Sequence, residues 1–128
     1  MKRFAFDFFN TLYGKQPYIE EVRQLARDIH AKGHEIHIVS AISPGLPCPY
    51  EALLAEMNVP WTKIHRVDHL AELKVAVLIE IQAAGFWDDL DENVEAAILA
   101  GIPSCQVGVH PVTELRRLKY TKGETHPG

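Results

Sequence analysis

Cysteine is scarce in this chain: there are two among 128 residues, Cys48 and Cys105, and no CxxC spacing. That excludes a disulfide-dense scaffold, suggests no structural zinc site, and makes two free thiols the expectation over a single bridge. Basic charge is short as well, with 13 Lys and Arg against 17 Asp and Glu, a formal net charge of −4 and a pI near 5.9. Such a balance gives no clear nucleic-acid footprint of the kind that tracks a phosphate backbone. Long apolar runs are missing too. The stretch 75–87 is broken by Glu80 and Gln82, well below the roughly 20 residues that a membrane-spanning helix needs. The aromatic start is interrupted by Asp7 and Asn10 with no small-residue cleavage site after it, so no secretory leader is expected and the reading is a cytoplasmic protein without a membrane partner.

What is present is a 47% hydrophobic chain of a length that suits one domain, read as residues 1–120, with a polar tail at 121–128 that has nothing to bury and is expected to be disordered. Short apolar runs alternate with helical periodicity, the signature of βαβ units and a mainly parallel sheet. Strands are expected at 3–8, 35–39, 63–67, 85–87 and 103–107. Helices are expected at 17–31, 51–57, 69–82 and 92–100, the third capped by Asp68 and the last stopped by Gly101. The segment 43–49 holds Pro44, Pro47 and Pro49 and can only be a loop.

The chemistry concentrates at strand ends. Phe4-Ala-Phe-Asp7-Phe-Phe-Asn10-Thr11-Leu12 runs from an apolar strand into a polar turn and leaves one carboxylate at the strand's carboxyl end, where open α/β sheets place ligands. The segment resembles the first motif of the haloacid dehalogenase (HAD) superfamily, in which an aspartate after a buried strand is the nucleophile and Thr-Leu follows. Ile36-His-Ile-Val39-Ser40 resembles the second motif, a strand ending in a hydroxyl that binds a phosphoryl oxygen. Phe86-Trp87-Asp88-Asp89-Leu90-Asp91-Glu92-Asn93-Val94-Glu95-Ala96-Ala97, with Ala100-Gly101-Ile102, resembles the fourth, where acidic residues hold magnesium ahead of an Ala-rich helix. Lys74 is the candidate for the third-motif lysine and Lys63 its competitor. The resemblance implies a three-layer αβα Rossmann-like fold with no cap domain. It also implies a site open to a bulky phosphorylated substrate, or to a protein partner that closes it.

The resemblance assigns catalytic roles to Asp7, Ser40 and Lys74, and substrate contacts to Thr11, Asn10, Ser40 and Lys74. It gives Mg²⁺ the carboxylates of Asp7, Asp89 and Asp88 with the backbone carbonyl of Phe9. The metal also has a reason independent of the family: three carboxylates at strand ends repel, and either bind protons or recruit a hard cation. One departure matters. Most phosphatases of the family carry an acid and base aspartate two residues after the nucleophile, and here that place holds Phe9, a loss worth on the order of 10²–10⁴ in rate. Three readings follow: a magnesium-dependent phosphatase, a catalytically weak or inactive binding or regulatory module on the same fold, and a dehalogenase, whose halide leaving group needs no proton.

Plainer roles are assigned beside these. Asn10 suits a turn with positive φ, and Asp91 and Glu92 suit the start of a helix, where the dipole favours negative charge. His34 and His37 are expected on a partly solvated face of the second strand. His65 and His69 straddle a strand-helix junction and do not share a helix face, and one of them could stand near the site in place of the missing acid. His110 and His126 are expected to be uninvolved.

Overall fold

Apolar strands that hide both faces under helices must pair in parallel, and five do so in the computed structural model, which describes residues 1–118. The elements are β1 (Arg3–Phe6), α1 (Ile19–Ala31), β2 (Glu35–Ala41), α2 (Tyr50–Glu56), β3 (Lys63–Val67), α3 (Ala71–Glu80), β4 (Gly85–Asp88), α4 (Asp91–Leu99) and β5 (Ser104–Gln106). The sheet order is β3-β2-β1-β4-β5, and every paired neighbour is parallel. The order reverses at β1, which lies between β2 and β4. The crevice at the carboxyl ends of such a switch point is where open α/β sheets take ligands.

Two cores define three layers. On one face Phe6, Ile36, Ile38 and Trp87 meet Val22 and Ala26 of α1 and Tyr50 and Leu54 of α2; on the other Ala5, Val39 and Phe86 meet Leu78 of α3 and Ala97 of α4. The fold is therefore the three-layer Rossmann-like α/β arrangement read from the sequence. Phe6 and Trp87 are register partners on β1 and β4, and their rings stack at 4.6 Å and 9°. Only short loops separate β1 from α1 and β2 from α2, which leaves no inserted cap among the described residues.

Boundaries shift where local chemistry differs from periodicity. β1 ends at Phe6, because the Phe8 carbonyl takes the amides of Thr11, Leu12 and Tyr13 and turns the chain. α1 starts at Ile19 rather than at Pro17. β2 runs on to Ala41, so Ser40 lies inside the strand. Asp68 is not the cap of α3: the cap position is Leu70, and the Asp68 carboxylate accepts the His69 amide instead. Among the described residues no helix is long and apolar enough to cross a membrane, and Cys48 and Cys105 are free. Burial pushes the Cys105 thiol up to about 11, which leaves it inert near neutrality. The expected tail at 121–128 and His126 lie outside the described residues.

His37 corrects the expectation of a solvated face. It is 5% exposed, its Nε2 lies 2.8 Å from Glu35 Oε1, and its Nδ1 lies 3.0 Å from His65 Nε2. The pleat carries His37 to the α3 side of the sheet, where His65 of β3 stacks on it at 5.2 Å. Burial, then the neighbouring His37 and Lys63, lower the His65 pKa against a smaller opposing effect of Glu80. A lowered folded pKa means that the unfolded chain takes the proton first. Stability is then full above the unfolded value, about 6.5, and is lost as pH falls through the folded value. The acid limb of urea midpoint against pH should flatten below pH 6.5 in His65→Gln; an unchanged limb would remove His65 from that role.

Candidate active site

The site is built where β1 and β4 end side by side. The Asp7 amide donates to the Trp87 carbonyl at 2.9 Å, continuing the ladder by one rung and leaving Asp7 beside Asp88. Phe6 and Trp87 face α1, so the pleat turns both carboxylates toward α3. From α3, Lys74 reaches between them: Nζ donates to Asp7 Oδ1 at 2.6 Å and to Asp88 Oδ2 at 2.9 Å. Lys74 is 2% exposed, Asp7 5% and Asp88 0%, which makes this a buried ion-pair triad. Lys63, the competing lysine, is exposed at the start of β3 and makes no such contact.

Each remaining oxygen has a defined neighbour. Thr11 donates its hydroxyl to Asp7 Oδ2 at 2.8 Å, the Leu90 amide donates to Asp88 Oδ1 at 2.9 Å, and the Asn93 amide group donates to Asp88 Oδ2 at 3.0 Å. Asp88 thus accepts from Lys74, Asn93 and the backbone. Asp89 is less buried and lines the cleft. Oxygens of Asp7, Asp88 and Asp89 lie within 4.8 Å of one another. Burial first, and the Asp88 charge second, push the Asp7 carboxyl well above the usual range, and burial raises Asp89 as well. Burial alone would lower the Lys74 pKa, but Asp7 and Asp88 hold it above the ordinary value.

The turn after Asp7 is held from several sides. Asn10 takes φ 61, its carbonyl accepts the Tyr18 hydroxyl at 2.6 Å, and its side-chain oxygen accepts from Gln16 at 2.8 Å. Its side chain is therefore tied within the turn, although Asn10 borders the cleft. Gly108 comes so close to the Tyr18 ring that a Cβ there would stand 2.8 Å from it, at a φ of +83. Phe9 packs edge-on against Phe8 and Tyr13 and forms part of the cleft wall. The turn's bonds use the Phe8 carbonyl and the Asn10 amide, leaving the Phe9 carbonyl outside them.

Ser40 is not brought to the carboxylates. It is 0% exposed, and Tyr50 donates its hydroxyl to Ser40 Oγ at 2.8 Å on the α2 side of the sheet. The register explains this. Phe6 pairs with Ile38, so Asp7 stands level with Val39, and Ser40 falls one residue out of phase and points to the opposite face. Ala41, Ile42 and the exposed Ser43 form the cleft wall instead. Losing this buried bond by Ser40→Ala or by Tyr50→Phe should cost about 1 kcal/mol of stability. In a urea double-mutant cycle the two losses should fall short of adding; strict additivity would show that the bond contributes nothing.

The cleft has a volume of about 380 Å³ and is bordered by Asp7, Lys74, Asp89 and Asn93 at its polar end and by Phe9, Ile42, Leu46 and Leu90 around it. Of the two histidines weighed for a place near the site, His69 lines the cleft and His65 does not. Asn93 is a further residue missed in the sequence. Its position one turn into α4, five residues after Asp88, was the available signal.

No family model matches the chain, and no curated protein matches it. Among solved structures it is similar to a chain of the "Pnkp1/Rnl/Hen1 RNA repair complex", at 18% identity over 83% of this chain and 42% of that one with a TM-score of 0.62. It is also similar to a chain of a second structure of the "Pnkp1/Rnl/Hen1 complex", at 18% identity over 84% of this chain and 46% of that one with a TM-score of 0.64. The chain thus spans less than half the length of each, and the likeness is one of fold.

Proposed function

We propose that the chain is a HAD-like, magnesium-dependent hydrolase that removes a phosphoryl group from a phosphomonoester through Asp7. The observation that carries this reading is the buried lysine shared by two aspartates at the switch point of the sheet, with a third carboxylate on the cleft side. A stable core has no need of that arrangement, because burying two carboxylates with one cation costs more desolvation than the pairing returns.

The donor set fits Mg²⁺. It is all oxygen, it carries more negative than positive charge, and Asp7 and Asp89 both border the cleft where water could complete the shell. Asp88, fully buried and bonded by Lys74, Asn93 and the Leu90 amide, is better suited to orient Lys74 than to give a ligand of its own. The Phe9 carbonyl can contribute from the turn. When bound, Mg²⁺ neutralises charge on the carboxylates and on the transferring phosphoryl group.

The chain's own residues supply the rest. Thr11 fixes one oxygen of Asp7, Lys74 holds the other and offers positive charge toward the phosphoryl oxygens, and Asp7 attacks phosphorus to form an acyl phosphate that water cleaves. A net charge of −4 favours small phosphoesters over an RNA strand, although the similar structures come from an RNA repair complex. A second reading, a non-catalytic binding module that closes against a protein partner, is favoured by Phe9 in the wall and by the withdrawal of Ser40 from the cleft. The carbon-halogen reading is the weakest, because the carboxylate cluster suits a cation rather than a halide. Hydrolysis of p-nitrophenyl phosphate with and without Mg²⁺ decides between the first two: metal-dependent turnover supports the hydrolase, and magnesium binding without turnover supports the module.

A further inference from the structure

The hydrolase reading leaves a proton unaccounted for. When Asp7 attacks phosphorus and the bond from phosphorus to the ester oxygen breaks, an alkoxide leaves with both electrons of that bond and needs an acid. With Asp7 as the nucleophile and Asp89 given to the metal, the remaining basic side chains along the cleft that carry an N–H proton are Lys74 and His69. Lys74 is committed, since Nζ is bonded to Asp7 and Asp88 at once and the side chain is buried. The Tyr18 hydroxyl is spent on the Asn10 carbonyl. Ser43, Asn10 and Asn93 are not acids of useful strength.

His69 differs from these in every respect. It is exposed at the approach to α3, its backbone amide is fixed by Asp68 Oδ1 at 2.7 Å, and among the described residues no hydrogen bond engages its ring. It borders the same cleft as Asp7 and Asp89, and it shares the mouth with the apolar Phe9, Ile42, Leu46 and Leu90. Leu46 and Leu90 are 54% and 48% exposed, so apolar surface stands open on the cleft that His69 borders. An ester group entering there meets apolar contacts and one imidazole.

We propose that His69 is the leaving-group acid of this cleft, and that the ester group it protonates is an uncharged, largely apolar alcohol lying against Phe9, Ile42 and Leu46. The proposal rests on the hydrolase reading. In the first step the imidazolium gives its proton to the departing oxygen as the Asp7 oxygen bonds to phosphorus, so the products are the free alcohol, the acyl phosphate on Asp7 and a neutral imidazole. In the second, water attacks that phosphorus, the bond between it and Asp7 breaks, and the imidazole takes the water's proton. Inorganic phosphate leaves and the imidazolium is restored, with no further reactant.

The test is a comparison of leaving groups. Wild type and His69→Gln are assayed with Mg²⁺ on p-nitrophenyl phosphate, whose phenolate departs without an acid, and on an alkyl monoester such as hexyl phosphate, whose alkoxide does not. His69→Gln is expected to lose at least tenfold more rate on the alkyl ester than on the aryl one, and added imidazole is expected to restore part of the alkyl rate alone. His69→Asn should behave the same way, since the side chain is exposed and neither change disturbs packing. Equal losses on both esters, or none on either, would overturn the role of His69 while leaving the hydrolase reading intact. A wild type with no metal-dependent turnover of the aryl ester would overturn both.

Discussion

Asp7→Asn is expected to reduce magnesium-dependent hydrolysis of p-nitrophenyl phosphate by at least about 10⁴-fold, while leaving the chain no less stable than wild type at neutral pH. The two halves have one cause. Asp7 is buried beside Asp88, and burial followed by that charge pushes its carboxyl well above the usual range. The ionised form is therefore held at a cost to the fold, a cost that the neutral amide of Asn avoids while keeping the shape and a partner for Thr11. The pH dependence has a definite sign. A carboxyl whose folded pKa is raised contributes stability that is present below the unfolded value, about 3.9, and is lost as pH rises through the folded value. Metal-free wild type should show that fall in urea midpoint with rising pH, and Asp7→Asn should lack it. An Asn variant that hydrolyses the ester at the wild-type rate, or that unfolds at much lower urea, would sink this account of Asp7.

Lys74→Met should be the most destabilising single change in the site, by about 3–5 kcal/mol in the absence of divalent metal. Met fills the volume of the lysine stem but leaves Asp7 and Asp88 facing each other with their shared cation removed. What remains is the repulsion together with the desolvation of two carboxylates, neither offset. The loss should then be recoverable by adding charge of the right sign: millimolar Mg²⁺ should raise the urea midpoint of the variant by more than it raises that of wild type. It should also shrink when the second charge goes, so that Asp7→Asn with Lys74→Met is more stable than the sum of the single changes allows. A Lys74→Met protein as stable as wild type, indifferent to Mg²⁺, would show that the triad plays no part in stability.

The fold was legible because its signals are redundant. Phe4, Phe6, Ile36, Ile38, Phe86 and Trp87 mark strands by apolar runs, and Val22, Ala26 and Leu78 mark helix faces by spacing, each supported by Gly or Pro at the boundaries. Asp7, Asp88 and Asp89 were legible as a group because three strand-end carboxylates follow the same kind of run. The separation of Lys74 from Lys63 needed three dimensions, since both lie close in sequence to an element's start and only one reaches the carboxylates. Ser40 failed for a countable reason: its side-chain parity on β2 is that of Ile36 and Ile38, which are core, and alternation would have sent it to their face. His37 failed for a different one, because burial of an imidazole depends on finding Glu35 and His65 as partners, and strand pairing is not written locally.

The single rung by which the Asp7 amide continues the β1–β4 ladder has a wider consequence. Neighbouring strands in any sheet sit about 4.8 Å apart, a distance set by the backbone and indifferent to side chains. The separation of the first two carboxylates is therefore gauged by the sheet, as divisions are fixed on a ruler, and core substitutions that preserve pairing cannot tune it by fractions of an ångström. Such a site would tolerate wide drift in the residues around it and would fail abruptly, by a whole division, if either strand slipped.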